Sequence, residues 1–240
     1  MRGLRGLRVL ITGAAGGIGT AVAERLSEEG ALIATADIVE PEGDGFAISL
    51  TGDVTRERDA ARLVDEARRA LGGLDGLVLA AGIHWVGPTH EMRLEEFDEV
   101  LAVSVRGTFL CCRAALPAMM ANREGRIVTF GSTAAVVGAP TLTAYAAAKG
   151  AVLQLTRSLA AEYAPYGIRA NCLCPGGTDT PLLRRLAAER TDPEAFARAH
   201  PIGRFADPAE IAASTAFLLS DDASFLVGSA FICDGGFTAV

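Results

Sequence analysis

Short apolar runs of strand length alternate along the chain with stretches whose apolar residues recur at helical spacing. LRVLI (7–11) and ALIATAD (31–37) flank a segment in which Ile18, Val22, Ala23 and Leu26 fall on one face, and Gly30 stands where such a helix ends. FAISLTGDV (46–54), GLVLAAG (76–82), GRIVTFGS (125–132), GIRANCLCPG (167–176) and SAFICDGG (229–236) are further strands. After Asp53 and Thr55, a stripe of Ala60, Leu63, Val64, Ala67 and Leu71 predicts a helix that stops at Gly72-Gly73. Longer helices are expected from about Leu94 to Met120 and from about Thr143 to Ala164. DPAEIAASTAFLLSD (207–221) opens with Asp207 as cap, Pro208 in the first position and Glu210 three residues after the cap.

Strands apolar on both faces, joined by helical crossovers, predict an α/β fold: a doubly wound parallel sheet with helices on both sides. No Pro/Ser-rich linker, repeat or low-complexity tract divides residues 1–240, so one domain is expected. The rhythm breaks at 177–206, where extra helix intervenes between a strand and the next helix. Insertions at the carboxyl ends of such strands cover ligand sites, and this one reads as a substrate lid.

Composition narrows the function classes. Half the residues are hydrophobic, about a fifth are charged, and the net charge of -7 comes without a basic block, which argues against a nucleic-acid partner. No apolar run approaches the roughly 20 residues of a bilayer span, so no membrane role is expected. The opening MRGLRGLRVLITGAAGG has arginines before apolar residues, but its apolar stretch is too short for a signal peptide and reads as a buried first strand. The odd count of five cysteines suits small buried hydrophobes in a reducing cytoplasm. His84, His90 and His200 are scattered, with none at metal-ligand spacing, so no metal site is expected.

Between the first strand and first helix stands TGAAGGIG (12–19). Glycines at 13, 17 and 19 permit a tight turn and close approach of a phosphate to the backbone, beneath the positive end of the following helix. The spacing is G-x-x-x-G-x-G rather than the standard dinucleotide G-x-G-x-x-G. Asp37 ends the second strand, where a carboxylate meets ribose hydroxyls and repels a 2′-phosphate. Gly16 puts no basic side chain in the turn, so NAD is expected over NADP. Asp53 reads equally as an adenine contact or as the cap of the next helix.

AYAAAKG (144–150) carries Tyr145 and Lys149, four apart and therefore on one helix face. An ammonium near a phenol favours phenolate and makes it a usable acid/base nearer neutral pH. Ser132, thirteen residues before Tyr145 at a strand end, can hydrogen-bond the same substrate oxygen. The alanines between Tyr145 and Lys149 read as leaving room for nicotinamide and substrate. YxxxK alone carries little weight.

Taken together, the turn Thr12 to Gly19, Ser132, the Tyr145–Lys149 pair, the stretch NCLCPGGTDT (171–180) and the closing DGG (234–236) resemble the short, single-domain short-chain dehydrogenase/reductases over essentially the whole chain. The resemblance implies a Rossmann-like seven-stranded sheet of order 3-2-1-4-5-6-7. It implies Tyr145 as general acid/base, Ser132 as the residue that orients the carbonyl or alcohol, and Lys149 as holder of the nicotinamide ribose. Cofactor contacts would come from Gly13, Gly16, Gly17, Ile18, Gly19, Asp37, Asp53, Val54, Ala80, Ala81, Gly82, Tyr145, Lys149, Pro175, Gly176, Thr178 and Thr180. Two departures stand out. Leu79 occupies a position where the family usually has Asn, and Ser104 stands where it commonly places the Asn that holds a relay water for the catalytic lysine. The resemblance also implies a homotetramer, or a dimer, through the two long helices.

The substrate side is less specified. His84 and Trp85 follow the fourth strand, while Arg184, Arg185 and Arg204 are candidates to pair with a substrate carboxylate. Leu182, Leu183, Leu186 and Phe196 suit an apolar or mixed substrate. The expected activity is NAD-dependent hydride transfer to or from a secondary alcohol: a hydroxy acid, sugar acid or cyclic alcohol. The alternative is an NAD-binding sensor or structural protein that kept the fold and lost turnover.

Overall fold

A computed structural model describes residues 1–188 and 193–240, with the side chains of 186–194 outside that description. Seven strands form one parallel sheet: β1 (Arg8–Thr12), β2 (Leu32–Asp37), β3 (Ile48–Thr51), β4 (Gly76–Leu79), β5 (Gly125–Phe130), β6 (Ile168–Pro175) and β7 (Ala230–Cys233). Their order is β3-β2-β1-β4-β5-β6-β7, as the family resemblance implied. The chain reverses its direction of travel across the sheet between β1 and β4, which places a crevice at the carboxyl ends of those strands.

Alternation along each central strand serves both faces. Val9, Ile11 and Val78 turn to one side, where they pack with Val22, Ala23 and Leu26 of α1 (Gly17–Glu28) and with Ile211, Ala212 and Ala216 of α8 (Pro208–Leu219). Leu10, Leu77 and Leu79 turn to the other, against α2 (Glu57–Ala70) and α4 (Gly107–Asn122). Each fully buried leucine of this kind contributes roughly 1.5–3 kcal/mol. Leu79 therefore serves the core, opposite Thr129 of β5.

Three expected boundaries shift for local reasons. The strand expected over 46–54 is confined to Ile48–Thr51, because the Asp53 carboxylate accepts the Thr55 N–H and hydroxyl and closes a turn. The strand expected over 76–82 ends at Leu79, and Ala80 to Gly82 leave the sheet. At β7, the Asp234 carboxylate accepts N–H groups of Gly236 and Thr238 and bends the chain away.

The long helix expected over 94–120 is α3 (Leu94–Leu101), a π-helical turn at Ala102–Arg106, and α4. Taken as one, Leu94–Asn122 has the length and apolarity of a membrane span, contrary to the expectation that no segment approaches one. Its apolar residues Leu110, Cys111, Cys112, Ala115, Leu116 and Met119 are spent on the core. Helix α5 (Thr143–Tyr163) lies beside it, and α6 (Pro181–Ala188) and α7 (Pro193–Arg198) fall within the expected insertion.

Candidate functional site

A cleft of about 860 Å³ opens at the carboxyl ends of the strands, lined by Ser132, Tyr145 and Lys149 and by part of the expected cofactor set. One wall begins at the glycine-rich turn. Gly13 has φ +72°, and a side chain there would run into the backbone of Ala80 and Ala81. A methyl group on Gly19 would overlap the Gly13 carbonyl. Only glycine allows the turn to lie so close to the segment after β4. Helix α1 starts at Gly17 with Gly16 as its cap and no side-chain capping bond, so its first-turn N–H groups remain for an anion.

Asp37 braces this turn. Its Oδ2 accepts the Ala15 N–H at 3.0 Å, and its Oδ1 accepts the Ile38 N–H at 2.6 Å. Ile18, Ala80 and Gly82 line the cleft, as do Pro175, Gly176, Thr178 and Thr180 on the far side. Thr180 closes over the turn, with its methyl 3.0 Å from where a Gly17 side chain would begin. The bare turn, the uncapped helix start and the strand-end carboxylate fit a dinucleotide. Asp53 and Val54 do not line the cleft, and neither do Asp37, Ala81 and the turn glycines Gly13, Gly16, Gly17 and Gly19. Burial raises the Asp53 carboxyl, but the Thr55 bonds and nearby Arg56 outweigh it and hold the group below the usual carboxylate range. Val54 is buried beneath Gly107.

The opposite wall carries Ser132, Tyr145 and Lys149. Ser132 leaves the end of β5 in extended conformation, and its Oγ accepts the Ala134 N–H at 3.2 Å. That bond orients the hydroxyl and leaves its own proton to donate. Tyr145 and Lys149 lie one turn apart on α5. The Lys149 side chain is 5% exposed, with Nζ donating to the Phe130 carbonyl at 2.9 Å and lying 5.5 Å from the Tyr145 ring centroid. A buried ammonium needs such partners. The intervening alanines do not line the cleft. Ala147 is exposed, and Ala148, like Ala144 before the tyrosine, is fully buried against Val100 of α3, where a small residue brings two helices together.

Ser104 sits in the π-helical turn, 1% exposed, and its carbonyl accepts the Thr108 hydroxyl at 2.7 Å. Among the described residues, its Oγ is the buried side-chain polar atom without a hydrogen-bond partner. A methyl group on Gly82 would lie 3.2 Å from Lys149 Nζ and 3.7 Å from Ser104 Oγ, so both groups face that bare α-carbon.

The substrate candidates divide. His84 lines the cleft edge-on to Tyr145, ring centroids 6.4 Å apart. Trp85 does not; it packs with Val100, Ala144 and Ala148. The arginines are not in the cleft either. Arg184 grips Asp179 at 2.7 and 3.1 Å, and Arg204 grips Glu210 at 2.7 and 2.8 Å. Arg185 is exposed. These side chains were candidates because sequence shows charge but not partner. Leu182, Leu183 and Phe196 do line the cleft, and the Leu186 side chain lies outside the described residues.

Two further features stand behind the cleft lining. Cys172 and Cys174 lie under Gly131 with sulfurs 4.0 Å apart, packed against Val152 and Leu153. His200 is 3% exposed and accepts the Gly177 N–H, a contact with no spacing signal because the partners are 23 residues apart.

A family profile described as Enoyl-(Acyl carrier protein) reductase matches residues 13–238. The chain belongs to the short-chain dehydrogenase/reductases. It is 42% identical to 2-(S)-hydroxypropyl-CoM dehydrogenase 3 of Xanthobacter autotrophicus, over 97% of this chain and 96% of that one. A protein of the same bacterium, described as inactive 2-(S)-hydroxypropyl-CoM dehydrogenase 2, is 46% identical over 86% of this chain and 92% of its own. The 2,5-dichloro-2,5-cyclohexadiene-1,4-diol dehydrogenase of Sphingobium indicum is 41% identical over the full length of both. Among solved structures, levodione reductase superimposes with a TM-score of 0.93 at 34% identity, covering 98% of this chain and 99% of that one. Members of this family that are dehydrogenases use nicotinamide cofactors, and these relatives support oxidoreduction of a secondary alcohol.

Proposed function

We propose that the protein is an NAD-dependent dehydrogenase or ketone reductase for an uncharged secondary alcohol, with Tyr145 as general acid/base. The observation that carries this reading is the meeting of Ser132, Tyr145 and buried Lys149 on one wall of a cleft whose other wall is formed by Ile18 of the glycine-rich turn, Ala80, Gly82 and the Pro175–Thr180 stretch. The nicotinamide, when bound, accepts or donates the hydride. Everything else falls to the chain. Ser132 donates a hydrogen bond to the substrate oxygen, keeping its proton, and Tyr145 takes or returns that oxygen's proton. Lys149 uses one N–H on Phe130 and keeps two donors for a ribose hydroxyl and for proton relay. Asp37 offers a carboxylate to the adenosine ribose, which favours NAD over NADP.

The wall beyond Tyr145 is apolar, formed by Val137, Pro140, Leu142, Leu182, Leu183 and Phe196. Among the described residues that line the cleft, Lys149 is the one lysine or arginine, and it is committed to the catalytic side. This supports a cyclic or otherwise apolar alcohol over a hydroxy acid or sugar acid. The test is a panel of matched alcohols and acids with NAD and NADP, following the reduced cofactor's absorbance. Cyclohexanol-type substrates should turn over with NAD, and preference for the acid of each pair would overturn the substrate reading.

A second reading, an NAD-binding protein without turnover, is favoured by the unpartnered Ser104 hydroxyl and by the inactive relative. Cofactor binding without turnover across the panel would select it. The protein is further read as a cytoplasmic homotetramer. The edge strand β7 with exposed Ile232, the neighbouring Phe225 and Val227, and Phe109 on α4 offer apolar surface to further copies. Light scattering on the purified protein tests the assembly.

A further inference from the structure

His200 stands at the end of the lid insertion, buried among Phe196, Phe205 and Phe237 with ring centroids 6.0, 5.7 and 5.1 Å away. Such a cage suits a fourth phenylalanine. A histidine there loses hydration at both nitrogens and is tolerated only where each finds a partner. Both do. Nε2 accepts the Gly177 N–H at 3.0 Å, and Nδ1 lies 3.2 Å from the Phe196 carbonyl oxygen. A carbonyl only accepts, so the proton sits on Nδ1 and the lone pair on Nε2; the neutral imidazole in one tautomer makes both bonds.

The two partners belong to different halves of the cleft. Gly177 lies in the loop after β6, beside Gly176, Thr178 and Thr180 at the cofactor end. Phe196 is on α7 and forms part of the apolar substrate wall. The loop is also anchored by backbone bonds, from Gly176 N–H to Cys233, from Ala206 N–H to Gly177 and from Asp179 N–H to Ala206. None of those reaches α7. We infer that His200 is a positioning residue that couples the cofactor-side loop to the substrate wall, so that each is held in register with the other. This rests on the cofactor and substrate ends assigned above.

The two bonds can be separated by substitution. A glutamine carbonyl extends to the Nε2 position and keeps the Gly177 bond, whereas an asparagine amide sits at the Nδ1 position and keeps the Phe196 bond. Phenylalanine fills the cage and keeps neither. NADH affinity by fluorescence titration, KM for the alcohol, and hydrogen exchange at the Gly177 amide without cofactor are measured on His200→Gln, His200→Asn and His200→Phe. The loss of one such bond weakens the affected affinity roughly 3- to 10-fold.

His200→Phe should raise both the NADH Kd and the alcohol KM and expose the Gly177 amide to exchange. His200→Gln should raise chiefly the alcohol KM, and His200→Asn chiefly the NADH Kd, with faster Gly177 exchange in the second only. Affinities that fall together in proportion to lost Tm in all three, or that do not move, overturn the coupling. Wild-type protein that binds no NADH overturns the cofactor assignment, and the coupling with it, whatever the exchange pattern.

Discussion

Lys149 Nζ and Ser104 Oγ face one another's ground across Gly82: a methyl group on that glycine would lie 3.2 Å from the first and 3.7 Å from the second. The lysine has the Phe130 carbonyl, and the serine hydroxyl has no partner of its own. An unsatisfied buried hydroxyl costs about 1–3 kcal/mol, so the position is either a stability defect or a station for relay water. We expect the relay. Ser104→Ala should lower kcat several-fold and shift its pH profile without raising Tm, while Ser104→Asn, with two polar atoms, should hold or raise kcat. A Ser104→Ala protein with higher Tm and unchanged turnover would sink this assignment.

Tyr145 is half-buried on α5, beside the His84 ring and one turn from Lys149. Tyr145→Phe keeps the ring and removes the proton donor. Turnover should fall by about 10²–10⁴-fold, the usual contribution of a positioned acid/base. NADH binding and Tm should stay close to wild type. A variant that retains most of its kcat would transfer the acid/base role elsewhere.

The sheet was legible in the sequence because apolar strands and helical stripes have different periods, and the family's order followed from the motifs. Strand ends were not. Ala80, Ala81 and Gly82 read as strand by hydrophobicity, yet their backbone is drawn against the glycine turn at Gly13. Tyr145 and Lys149 were legible because i,i+4 spacing puts them on one face, whereas the alanines' purpose depended on α3, which the spacing does not reveal. The arginine roles failed for the same reason. Arg184 and Asp179, and Arg204 and Glu210, find each other across helix starts rather than along a helix face. The π-helical turn around Ser104 has no signal in the residues themselves; only the family resemblance, which places a helix-kinking Asn there, marks the position.

Arg8 and Asp75 pin the start of β1 to the loop before β4, through Arg8 Nε to Asp75 Oδ2 at 2.7 Å and the Arg8 N–H to the same oxygen at 3.1 Å. The Arg8 bonds outweigh burial and hold the Asp75 carboxyl below its ordinary value. A depressed carboxylate stabilises the fold fully above its unfolded pKa of about 3.9 and loses that contribution as pH falls toward the native value. Asp75→Asn should therefore lower Tm at neutral pH, with the gap to wild type narrowing as pH drops below about 4. A gap that stays constant across that range would remove the titration from the account.

Asp37 accepts the Ala15 N–H and so braces the glycine-rich turn; under the proposed function the same carboxylate would meet the adenosine ribose. Asp37→Ala removes both effects. Losing the brace should weaken NAD binding by about 1 kcal/mol, roughly fivefold. Losing the negative charge should at the same time admit NADP, whose 2′-phosphate it repels. The ratio of kcat/KM for NAD over NADP should then fall by about tenfold or more, the effect of ~1.4 kcal/mol. Adding Ile38→Arg should carry the preference over to NADP, because residue 38 follows Asp37 directly and is 67% exposed. Wild-type protein that already prefers NADP, or an Asp37→Ala variant with an unchanged ratio, would show that this carboxylate serves the turn alone.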